Sequence, residues 1–142
     1  MTLNLKQVID AVESASEVYT ALYDTQTGKT VYLPDEIITG EQGEALEELI
    51  ENSPTDRFLH FPTKYEIHEY SIMESFIESL PSGAARQELA QVVRGKGAFR
   101  RFKNGIYYHQ LDQQWYVYQA QAHREIAVRW CRDQGIEYVD EN

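Results

Sequence analysis

The sequence predicts an α+β fold: a mostly helical single domain spanning residues 1–142, with a small antiparallel hairpin near the N-terminus. Three observations carry this reading. Apolar residues recur at a spacing of three to four through several long segments. The segment 18–33 switches to β-branched and aromatic residues around a glycine-containing turn. The length of 142 residues, with 42% hydrophobic and 25% charged residues, matches an ordinary soluble globular domain.

The first helix carries Leu5, Val8, Ile9, Val12 and Ala15 on one face, and Asn4 with Gln7 resembles a capping box. Val18-Tyr19-Thr20-Ala21-Leu22-Tyr23 and Thr30-Val31-Tyr32-Leu33 read as two strands. Asp24 to Lys29 forms the turn between them, with Gly28 at a position suited to a positive φ. Thr39 with Gln42 opens a second helix that turns Ala45, Leu46, Leu49 and Ile50 inward and stops at Asn52-Ser53-Pro54. Phe58 to Phe61 is a short strand or an extended connection.

Thr63-Lys64-Tyr65-Glu66 is a strong capping box. It opens a helix to about Leu80, with Ile72, Met73, Phe76, Ile77 and Leu80 on one face, which Pro81-Ser82-Gly83 breaks. Ala84 to Val93 forms the next helix, with Ala85, Leu89, Val92 and Val93 on one side, ended by Gly95. Gly97 to Lys103 reads as a short helical turn that buries both Phe99 and Phe102, and Asn104-Gly105 as its cap. The longest helix spans Asp112 to Gln134. Its stripe of Trp115, Tyr118, Ala122, Ile126 and Trp130 is expected to be mostly buried, packing on the helix of Ile72 and Phe76. Gly135 is a left-handed C-cap with Ile136 folding back on the last turn, and the tail from Glu137 adds an edge strand.

Net charge is −10, and it is segregated. Residues 1–90 hold 17 acidic and 5 basic residues, whereas residues 91–142 hold 6 and 8. The acidic balance disfavours indiscriminate binding to nucleic acid or anionic lipid. No run approaches the ~18 apolar residues of a membrane span, and the N-terminus lacks the features of a signal peptide. One cysteine, Cys131, forms no intramolecular disulfide. These features point to a cytoplasmic protein without membrane contact.

The motifs of common chemistries are incomplete. Gly28-Lys29-Thr30 lacks the earlier glycine of a phosphate-binding loop, Tyr23 standing there instead, and β-like residues follow it. His68-Glu69 lacks a second histidine four residues on, since Ile72 occupies that position. His60, His109 and His123 show no ligand spacing to one another or to Cys131. No nucleophile elbow or dinucleotide fingerprint is present. No cofactor or metal is expected. Glu41, Glu44, Glu47, Glu48 and Glu51 form an acidic face, read as solvated, with docking of a basic partner as the alternative.

The remaining feature is Arg94-Gly95-Lys96-Gly97-Ala98-Phe99-Arg100-Arg101-Phe102-Lys103, with five basic residues and no acidic one. Its glycines precede a helix start, where free N–H groups favour an anion. As a ligand site, Arg94, Lys96, Gly97, Arg100, Arg101 and Lys103 would take phosphate or carboxylate, with the aromatics stacking on bases. As structure, the same cations would balance the acidic region, and this role is favoured because intramolecular pairing is the commoner fate of a basic cluster.

Three segments resemble one of the small bacterial uncharacterised protein families, the numbered series without an assigned function. They are Arg57-Phe58-Leu59 with Pro62; the block Gly95 to Lys103; and Trp115-Tyr116 with Trp130-Cys131 and Gly135-Ile136. The hairpin with Thr27-Gly28 also fits, and Asn104 stands where an acidic residue is expected in that family. The resemblance implies a bacterial cytoplasmic domain and brings no catalytic residue. The sequence assigns no activity; with every catalytic motif incomplete and the charge segregated, it reads as a non-enzymatic binding or regulatory module suited to an unidentified protein partner. The alternatives are a nucleic-acid or phosphorylated-ligand binder working through residues 94–103, and an enzyme assembled from Glu and His residues brought together by folding.

Overall fold

A computed structural model describes residues 2–16, 19–34, 48–54 and 56–140. In chain order the elements are β1 (Thr2–Asn4), α1 (Leu5–Glu13), β2 (Tyr19–Asp24), β3 (Thr30–Pro34), β4 (Phe58–His60), α2 (Lys64–Ile67), α3 (Glu69–Ser79), α4 (Ala84–Val92), α5 (Ala98–Tyr108), α6 (Asp112–Asp133) and β5 (Glu137–Val139). The chain divides into two compact units, one of residues 1–67 with 123–142, the other of residues 68–122. The α+β class predicted from the sequence is the one observed.

In the first unit, β2 pairs antiparallel with β3 (Leu22 opposite Val31) and with β4 (Tyr23 opposite Leu59), in the order β3-β2-β4. Gly28 sits in the β2–β3 turn with φ 73°, as the hairpin reading requires. The chain's two ends meet in a second sheet, where β1 runs parallel to β5 with Leu3 opposite Tyr138. Asn4 accepts the Lys6 N–H at 3.0 Å and so caps α1. The expected return contact from Gln7 is absent, because its amide donates to Gly28 O and Thr30 Oγ1 and ties α1 to the hairpin. Leu3, Leu5, Val8, Ala11, Phe61, Ala127, Trp130 and Ile136 are among the residues that form this unit's core. Inside it, Asp24 is buried and paired with Arg57 through two 3.1 Å contacts.

The Thr63–Glu66 capping box forms as predicted, each residue's side chain accepting the other's N–H at 3.1 Å. The helix it opens is not continuous. His68 adopts the left-handed conformation, φ 55°, which ends α2; Ser71 Oγ pairs with its Nδ1 at 2.7 Å as α3 begins. Of the expected helix from Thr39, residues 39–47 lie outside the described residues; 48–52 are helical.

In the second unit, Phe76 of α3 meets Phe102, Trp115 and Tyr118 edge-on at 6.2, 5.3 and 5.3 Å. The expected α6 stripe is therefore divided. Trp115 and Tyr118 pack on α3, but Trp130 belongs to the first unit, where it stacks on Phe61 at 5.0 Å and its indole N–H donates to His60 O at 2.8 Å. Ile126 and Tyr118 are only half-buried, and Ala127 and Cys131 take the innermost positions. The helix ends as predicted: Ile136 N–H bonds Cys131 O and Gly135 N–H bonds Arg132 O. With Gly135 at φ 68°, this is a Schellman cap.

Candidate functional site

The sequence-predicted site lies in the second unit, on α5 and the loop that joins it to α4. Val93 is buried just past α4, and Tyr70 donates to its carbonyl at 2.6 Å. Gly95 and Gly97 then take φ 79° and 75°, reversing the chain into α5. Gly97 stands at the N-cap, and a Cβ there would lie 3.1 Å from Arg101 Nη1. A side chain at Gly97 would therefore meet both backbone strain and a crowded guanidinium.

The expected short turn is an 11-residue helix that runs through Asn104 and Gly105 to Tyr108. Asn104-Gly105 reads as a stop in sequence, yet Gly105 serves here for close approach. A Cβ on it would stand 2.6 Å from Leu89 Cδ2, so its absence lets α5 lie against α4. The helix ends instead at Gln110, which takes the left-handed position, φ 57°, usually held by glycine. The longer helix also corrects the expected burial of Phe99. Its inward line follows Phe102 and Ile106, both fully buried, at i, i+4. Phe99 falls on the edge of that line and is 47% exposed, with Lys103 Nζ 5.3 Å from its ring centroid.

The six predicted ligand residues have different roles. Arg101 is held by the backbone. Its guanidinium and Nε donate to the carbonyls of Val92, Lys96 and Arg94 at 2.9, 2.5 and 2.5 Å, closing the end of α4 and fixing the loop. Lys103 is half-buried beside Phe99. Arg94, Lys96 and Arg100 are exposed and make no ion pair among the described residues. Exposed Tyr107 continues this face, and its hydroxyl pairs with that of Tyr116, which raises the Tyr107 pKa above its ordinary 10.0. The outer face of α5 thus carries Arg100 with the rings of Phe99 and Tyr107, and Lys96 lies in the loop before it, whereas Arg94 lines a cleft with Glu74 and Glu78 of α3.

On the other flank of α5, a groove of about 400 Å³ separates it from α4. Leu89, Val92 and Gly105 form its floor, and Asn104, Tyr108, His109 and Glu88 its rim. His109 Nε2 lies 2.6 Å from Glu88 Oε2. Sequence reasoning missed this pair, whose members are 21 positions apart. A signal existed: the Gly95–Gly97 reversal lies between them, and such a reversal folds the two flanking helices back on each other.

Residues 1–142 match the sequence pattern of an uncharacterised protein family, UPF0158. The chain belongs to that family. It is 27% identical over 139 residues to the UPF0158 protein PA5073 of Pseudomonas aeruginosa, covering 96% of this chain and 86% of that one. No solved structure matches the chain.

The other residues weighed for this UPF0158 chain are dispersed. Glu66 is engaged in the α2 cap, and His68 is exposed at the start of α3. His123 is buried in the first unit. Cys131 is also buried there, and that burial raises its thiol pKa. Glu41, Glu44 and Glu47 lie outside the described residues, whereas Glu48 and Glu51 are exposed. Among the described residues no three His, Cys, Asp or Glu side chains are grouped to hold a metal ion, and no helix is long and apolar enough to cross a membrane.

Proposed function

We propose that this protein is a non-enzymatic binding module that takes single-stranded nucleic acid on the outer face of α5 and the preceding loop. The observation that carries the reading is that Lys96 and Arg100 are exposed and free of ion pairs among the described residues, on the loop and helix that also present the exposed rings of Phe99 and Tyr107. Cations track phosphates, and aromatic rings stack on bases without requiring a particular sequence. A purely structural role for the cluster needs internal partners for its cations; among the described residues Arg101 has backbone carbonyls and Lys103 the Phe99 ring, whereas Arg94, Lys96 and Arg100 make no ion pair. The net charge of −10 is less of an obstacle than it looks. Residues 68–122 carry six basic and five acidic residues, net +1, and the remainder carries seven and eighteen, net −11. The same reading puts the module in the cytoplasm, where a lone, buried thiol stays reduced.

Fluorescence anisotropy of labelled single-stranded DNA and RNA at low and moderate salt tests this. Each phosphate contact on a single strand contributes about 0.7 to the salt slope. Lys96→Ala with Arg100→Ala is expected to weaken binding and flatten the slope by about 1.4. Binding that is absent, or that the double change leaves untouched in a folded protein, contradicts the proposal. Preference for an acidic peptide over the oligonucleotide would identify a protein partner instead.

A further inference from the structure

We infer that the groove between α4 and α5 receives one base of the bound strand, so that the site reads bases as well as phosphates. This rests on the proposed single-strand binding. A volume of about 400 Å³ falls within the range of small-ligand sites, ~300–1,000 Å³. Its accessible floor, from half-buried Val92 and Gly105 over the fully buried Leu89, is apolar, as the face of a base requires.

The rim supplies the two other elements of base recognition. Tyr108 is 77% exposed, a ring available for stacking at low ordering cost. The Asn104 amide has no hydrogen-bond partner among the described residues, and it offers both a donor and an acceptor to a base edge. The Glu88–His109 pair adds a carboxylate acceptor for an exocyclic amine.

Arg101 joins the groove to the phosphate face. It lines the groove while its guanidinium holds the carbonyls of Arg94 and Lys96, so the loop that carries those free cations is fixed at the groove's edge. A strand whose phosphates lie on Lys96 and Arg100 therefore has the groove within reach of a neighbouring base. Positive charge beside an apolar slot with polar edges matches a nucleotide better than a neutral apolar ligand.

The test compares an ordinary oligonucleotide with an abasic strand of equal length and charge, on the wild-type chain and on Tyr108→Ala, Asn104→Ala and Phe99→Ala. All three side chains are exposed, and circular dichroism checks that the variants stay folded. The wild type is expected to bind the abasic strand at least about fivefold more weakly. Tyr108→Ala and Asn104→Ala are expected to reduce that discrimination and leave the salt slope unchanged. Equal binding of the two strands, with the salt slope intact, overturns the groove and leaves the phosphate face standing. Discrimination lost in Phe99→Ala but kept in Tyr108→Ala also overturns it, since the bases then stack on the outer face. Absence of any binding overturns both.

Discussion

Arg101→Ala is expected to destabilise the protein, whereas Arg100→Ala, one residue away, is not. The difference follows from what each guanidinium touches. Arg101 donates to three carbonyls, Val92 at the end of α4 and Arg94 and Lys96 in the loop. A charged donor at a helix C-terminus also meets the negative end of its dipole, worth about 0.3–1 kcal/mol. A net hydrogen bond contributes ~0.5–1.5 kcal/mol. The exposure of the Arg101 side chain calls for the low end of that range, giving about 2 kcal/mol in all. Arg100 has no such partners, so its removal should stay within about 0.5 kcal/mol. Urea denaturation followed by tryptophan fluorescence measures both, and Arg101→Lys, which lacks the planar fork, should recover less than half of the loss. An Arg101→Ala midpoint equal to wild type, or an Arg100→Ala loss of similar size, refutes the assignment of one residue to the scaffold and the other to the surface.

Asp24→Asn is expected to cost roughly 1–2 kcal/mol at neutral pH. The Arg57 guanidinium bonded to Asp24 holds its carboxyl at about 2, below the ordinary 3.8, and the contribution is discounted for solvent around Arg57. Because the folded pKa is the lower one, this stability is present above about pH 4 and is lost as pH falls towards 2. Wild type should therefore lose more than the variant in acid denaturation, and parallel pH profiles would contradict it. Trp130→Ala removes the contact with Phe61 and the bond to His60 O, and should cost about 3–5 kcal/mol, read as a shifted denaturation midpoint. Since α6 runs without a break across the boundary of the two units, calorimetry is expected to give one unfolding transition for the single domain proposed over 1–142. Two transitions would count against it.

Local signals in the sequence were sufficient where the chemistry is local. The Thr63–Glu66 box, the hairpin turn at Gly28 and the Gly135–Ile136 cap each depend on a few adjacent residues, and each forms as read. The signals failed where tertiary packing decides. Asn104-Gly105 has the composition of a turn, but Leu89 of α4 needs the missing Cβ, so the helix continues through it. Gln110 and His68 take left-handed conformations that their residue types do not announce. The long stripe of α6 has one periodicity but serves two units, so Trp115 and Trp130 find different partners. The basic block was legible as a block. That Arg101 turns back to the chain while Arg94, Lys96 and Arg100 remain free depends on the hairpin of α4 and α5, which spacing alone does not describe. The same hairpin brings Glu88 beside His109, a pairing that spacing alone does not reveal.

Binding of a single strand along the loop at residues 94–97 and the outer face of α5 would perturb the backbone amides there. Its most direct test is an amide NMR titration of the isotope-labelled chain with a short oligothymidylate. Salt-sensitive shifts are expected, concentrated at Arg94 to Arg100 and continuing to Lys103 and Tyr107, with the β2–β3 turn at Gly28 and Lys29 unmoved. Shifts spread evenly over the chain, shifts centred on that turn, or none at all at low salt would contradict it.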